Sequence, residues 1–178
     1  MELNVSPPEF AATLSLPPGR LVRGARHGIV RVSQRFRASR ERVFDAWLDP
    51  TIAGQWLFAT ALCPMTHVTL DARVGGSFCF VYQQNGEDVA RTGKYLEIVR
   101  PQRLGFTLAL ENRLRVTTRV MVEIVKLRTG CELGVTHKDV PPDCTVHVKN
   151  RWARMLYGLG ETLRGLPALT AATEVRRA

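Results

Sequence analysis

Through the middle of this chain, apolar and polar side chains alternate in short stretches; on either side they recur at helical spacing. In Ile29 to Phe36, Val30, Val32, Gln34 and Phe36 fall on one face and arginines on the other, which predicts a strand. Ser39 then stands as a helix N-cap, with Glu41 in the first turn. Val43, Phe44, Trp47 and Leu48 form an apolar stripe at helical spacing, and Asp49-Pro50 stops that helix. A second short helix is expected over about Thr51 to Leu57. Strands follow at Thr66 to Leu70, Ser77 to Gln83, Thr92 to Val99, Leu104 to Leu108, Val116 to Val125 and Cys131 to His137. Turns separate them: Gly75-Gly76 marks a turn or bulge, Asn85-Gly86 is a strong hairpin signal, and Pro101 and Gly130 sit in the later breaks. After Pro141-Pro142, a long helix is expected from about Thr145 to Leu166. It carries Trp152, Leu156, Leu159 and Leu163 on one continuous face, and Gly165 and Pro167 stop it.

That order predicts an α+β domain: a curved antiparallel sheet of about seven strands, two short helices and a long C-terminal helix. A twisted sheet with one apolar concave face is buried by a single long helix laid across it. The chain of 178 residues suits one domain. The expected division is a tail over 1–27 (two proline pairs and no lasting periodicity), a domain over 28–168 and a C-terminal tail over 169–178.

Composition and charge narrow the function classes. The longest apolar runs fall short of the roughly 20 residues a membrane-spanning helix needs. Glu2 and Glu9 stand where a signal peptide would be positive, so a cytoplasmic protein is expected. The four cysteines, Cys63, Cys79, Cys131 and Cys144, include no C-x-x-C pair and read as free thiols. The net charge of +9, mostly arginine, is densest from Arg20 to Arg42, but only Phe36 interleaves there. Nucleic acid is therefore disfavoured as a partner. His137, Cys144 and His147 match no strong zinc spacing and lack a fourth ligand, so no metal is expected. Gly75-Gly76 is followed by neither the lysine nor the helix of a phosphate-binding loop, and no cofactor is expected.

Strand alternation sends Phe78, Phe80 and Tyr82 to the concave face, with Tyr95, Phe106, Thr118, Val120 and His137 from later strands. Trp152 and Leu156 face them from the long helix, and Trp56 stands at the rim. Among these, Tyr82, Tyr95, Thr118 and His137 are the choices for orienting a ligand, because an unpaired buried polar group costs about 1–3 kcal/mol. His137 reads either as a ligand contact or general base or as a structural histidine bonded to the loop backbone. No carboxylate has an obvious place to orient it, and no catalytic set is assigned.

The stretch Phe36-Arg37-Ala38-Ser39-Arg40-Glu41-Arg42-Val43-Phe44-Asp45-Ala46-Trp47-Leu48-Asp49-Pro50 resembles the opening of SRPBCC proteins, and most nearly the homologues of the activator of heat-shock-protein-90 ATPase. Trp56, Leu70-Asp71-Ala72-Arg73-Val74-Gly75-Gly76-Ser77-Phe78, Gly93 to Pro101, Arg103-Leu104, Thr136-His137 and Trp152 continue the resemblance in order, over roughly 29–165. It implies a helix-grip fold, also called START-like or birch-pollen-allergen-like, with a cavity between sheet and helix. Two departures stand out: the 27-residue N-terminal tail, and a Leu108 to Arg115 region without the tryptophan that often follows the Leu-x-Phe-Thr strand. The expected function is binding of a small, largely apolar ligand (lipid, polyketide-like or aromatic) in that cavity. The alternatives are a co-chaperone-like domain with a chaperone as partner, and a cyclase- or hydrolase-type enzyme. An exposed sheet edge leaves monomer and homodimer both open.

Overall fold

The computed structural model describes residues 27–60, 63–109 and 117–165. Seven strands form one antiparallel sheet in the order β1-β7-β6-β5-β4-β3-β2. They are β1 (Gly28–Phe36), β2 (Met65–Leu70), β3 (Ser77–Gln84), β4 (Glu87–Val99), β5 (Arg103–Ala109), β6 (Thr117–Lys126) and β7 (Cys131–Val140). Two short helices, α1 (Arg40–Asp45) and α2 (Pro50–Trp56), separate β1 from β2, and a 3-10 turn (Pro142–Cys144) leads into α3 (Thr145–Gly165). This is the helix-grip architecture expected from the order of elements. The expected tails over 1–27 and 169–178 and the rim after Leu108 fall largely outside the described residues.

Local chemistry accounts for the ends of the elements. The Ser39 hydroxyl accepts from Arg42 N at 3.2 Å, as an N-cap does. Asp49 does not merely stop α1. Its carboxylate caps α2, accepting from Thr51 N at 2.8 Å and Ile52 N at 3.1 Å, with Pro50 at the first helical position. Asn85 (φ 54°) and Gly86 (φ 83°) make the expected β3–β4 hairpin. The strands run past their expected ends: β4 begins at Glu87 rather than Thr92, and β7 continues to Val140, so His137 lies inside the strand rather than at its end.

The concave face of the sheet and one face of α3 form the core. Trp152, Leu156, Leu159 and Leu163 are all buried, as the i, i+4, i+7, i+11 stripe predicts. Rings fill the space between: Trp47 meets Trp56 edge-on at 4.7 Å, and Phe78 contacts Phe80, Tyr95 and Phe106 at 5.4–5.8 Å. Arg42 Nη2 donates to Leu163 O at 2.7 Å, which satisfies a carbonyl near the C-terminal end of α3. Arg100 grips Asp45 with two bonds of 2.7 and 2.8 Å, tying the end of α1 to the β4–β5 turn.

The sheet bends at β4. Its first part, Glu87 to Lys94, pairs with β3, and its last, Tyr95 to Val99, pairs with β5, with a register shift after Tyr95. Gly93 sits at this corner, where a Cβ would overlap the Thr107 carbonyl and the Phe78 ring. Gly134 of β7 has open space at the same position. Gly93→Ala is therefore expected to destabilise the fold by about 3 kcal/mol, as an overpacked core position does. Gly134→Ala should change stability by less than about 1 kcal/mol. Urea denaturation of the two variants beside the parent measures the difference.

Candidate functional site

Two adjoining hollows open beside α3 on its N-terminal side. The smaller, about 170 Å³, lies between α3 and the sheet and is lined by residues including Phe58, Leu108, His137, Val148 and Trp152. The larger, about 610 Å³, lies between α3, α2 and the end of β3, and includes Trp56, Thr60, Cys63, Tyr82 and Arg154 in its walls. Phe58, Arg151 and Met155 belong to both. Phe58 holds a left-handed backbone (φ 65°), uncommon for a bulky residue, and its N–H points to Met155 Sδ at 3.3 Å.

Of the residues expected to meet a ligand, Trp56, Tyr82, His137 and Trp152 line these hollows. Phe78, Phe80, Tyr95, Phe106, Thr118, Val120 and Leu156 are buried on the predicted face but line neither. They pack against one another and fill the centre of the sheet, so these two hollows lie toward the N-terminal end of the helix. Burial, with Asp71 nearby, pushes the Tyr95 hydroxyl up to about 12. The residues missed by alternation, Phe58, Arg91, Arg151 and Met155, come from a loop, a strand and the flank of the helical stripe. Arg151 and Met155, at i and i+4 beside Trp152, were the visible signal.

His137 is not bonded to the loop backbone. Trp152 Nε1–H, a donor only, donates a hydrogen bond to His137 Nδ1 at 3.0 Å. The neutral imidazole therefore carries its own proton on Nε2, which faces Thr118 Oγ1 at 2.7 Å. Thr118 Oγ1 in turn donates to Leu108 O at 2.9 Å. The chain runs from α3 through β7 and β6 to β5 and uses both ring nitrogens. Burial depresses the His137 pKa to about 4, against a smaller opposing pull from Asp139.

The thiols are free among the described cysteines, and burial raises the Cys131 thiol. His137, Cys144 and His147 do line one hollow, but no three metal-ligating side chains cluster among the described residues. No described helix is long and apolar enough to cross a membrane.

Residues 37–164 match the family described as activator of Hsp90 ATPase homolog 1-like protein, and the chain belongs to that family. Solved structures share its fold. A Chromobacterium violaceum protein is 24% identical, with 76% of this chain and 96% of that one covered and a TM-score of 0.70. An AHSA1-like protein of Aeromonas hydrophila is 20% identical over 77% and 92%, with a TM-score of 0.67. A Staphylococcus aureus protein of unknown function is 17% identical over 78% and 94%, with a TM-score of 0.71. No curated protein matches the chain.

The His137 chain has a consequence in pH. The unfolded imidazole titrates near 6.5 and the folded one near 4, so between these values the unfolded chain binds a proton that the native chain refuses. Stability is present above the upper value and is lost as pH falls through the window. Going from about pH 7.5 to about pH 5 should cost about 2 kcal/mol in urea denaturation. In His137→Gln this part of the slope should disappear.

Proposed function

We propose that this protein binds a small, largely apolar molecule in the two adjoining hollows beside α3. The observation that carries the reading is an opening lined with rings and a thioether in a family whose fold suits ligand binding. Phe58, Trp152 and Met155 line the inner part and Trp56 the outer part. The smaller hollow is close to the ~150 Å³ that accepts a benzene-sized guest, and the larger extends it to the surface. Trp56, Tyr82, His137 and Trp152 are the side chains of this reading that meet the ligand, with His137 holding Trp152 in place. A cyclase or hydrolase that used His137 as its base would need a free ring nitrogen, and both nitrogens of His137 are already engaged. The chaperone-partner reading rests on the family's description alone. Free thiols suit the cytoplasm as the site of action.

An uncharged apolar fluorophore tests the reading. N-phenyl-1-naphthylamine should gain emission on mixing with the protein. Met155→Trp, which fills the wall shared by the hollows, should weaken that binding about tenfold or more. Absence of any emission gain with the folded parent protein overturns the proposal.

A further inference from the structure

Cationic side chains line these hollows beside rings and apolar groups. Arg91 is 8% exposed, its guanidinium 5.8 Å from the centre of the Tyr82 ring, and it lines the smaller hollow. Arg151 is half-buried in the wall common to both, and Arg154 lines the larger. No aspartate or glutamate among the described residues lines either hollow, and Arg151 makes no ion pair with a described carboxylate. The Tyr82 hydroxyl is buried beside Arg151 without a hydrogen bond of good geometry. Hydrophobic packing alone does not account for Arg151 and the Tyr82 hydroxyl in this wall, because a half-buried cation with no described carboxylate and a buried hydroxyl with no partner are both costly.

We infer that the ligand is an apolar acid whose carboxylate is held by Arg151 and the Tyr82 hydroxyl, with Arg154 adding positive charge in the wall of the larger hollow. The inference rests on the pocket reading above and names its ligand class. A guanidinium edge presents two parallel N–H groups that match the two oxygens of a carboxylate. The tyrosine hydroxyl adds a donor whose burial unpaired costs about 1–3 kcal/mol and which an incoming oxygen would satisfy. Burial, then repulsion from Arg91, makes Arg151 harder to keep charged, with Tyr82 opposing; a bound anion reverses that balance. The body of the acid would lie against Phe58, Met155 and Trp152.

Calorimetric titration with two matched pairs tests this: decanoate against decanol, and 2-naphthoate against 2-naphthalenemethanol. In at least one pair the acid should bind about tenfold or more tighter than the alcohol. Arg151→Met should bring the two affinities in that pair to within about threefold, Arg151→Lys should keep part of the preference, and Tyr82→Phe should reduce it several-fold. Arg128→Met, on the turn between β6 and β7 and outside both hollows, should keep the preference, which separates a local site from the field of the net charge of +9. Thermal melts check that each variant folds. Equal binding of acid and alcohol in both pairs overturns the inference and leaves the pocket standing. So does a preference that survives in folded Arg151→Met. If neither acid nor alcohol binds in either pair, the pocket reading falls and the inference with it.

Discussion

A single polar chain crosses the apolar core, from Trp152 on α3 to His137 on β7, Thr118 on β6 and the Leu108 carbonyl on β5. Apolar contacts between a helix and a sheet tolerate sliding, since area burial has no direction. Hydrogen bonds of 2.7–3.0 Å do not, and a buried member left without its partner costs more than the bond contributes. The relay therefore fixes where α3 lies along the sheet. Arg151 is the neighbour of Trp152 in sequence, and Met155 follows within one turn. Their place over the opening follows from that anchor, with Phe58 N–H meeting Met155 Sδ and Arg42 holding the far end of the helix.

The opening exists because the two ends of the sheet are treated differently. Toward the C-terminal end of α3, Arg42 meets the Leu163 carbonyl, and Leu159 and Leu163 are buried in the core. Toward its N-terminal end, the sheet bends at Gly93, the β3–β4 hairpin swings away, and the loop after α2 brings Phe58 in from the side. Strain in the Phe58 backbone is the local cost of that entry, and Met155 and Phe80 hold the residue there. The result is a solid centre with the two adjoining hollows toward the N-terminal end of α3, rather than an aromatic cavity running under the whole helix.

Much of this was legible in the chain. Period-two alternation placed Phe78, Phe80 and Tyr82, and Thr118, Val120 and His137, on the buried face. The helical stripe placed Trp152, Leu156, Leu159 and Leu163. Ser39 marked the start of α1, and Asn85-Gly86 the hairpin. These signals are local: a side chain's face follows from its own backbone period. Asp49 was read as a stop and is a cap, because the same dipeptide that ends one helix begins the next.

Which buried residues touch empty space was not legible. Phe106 and Trp152 are both buried on the inward faces of their elements, yet only Trp152 lines one of the two hollows, because that depends on whether a distant element arrives to cover the residue. The sequence by itself determined the family, through the ordered motifs from Phe36 to Trp152, and the order of elements and the inward face of each strand, which follow from periods of two and 3.6 and from caps and turns. Only the tertiary structure decided that His137 is locked as a neutral link and that Arg91, Arg151 and Tyr82 share one end of the molecule. Their positions are far apart in the chain, and no periodicity relates β3, β4 and α3 until the sheet bends and the helix is pinned across it.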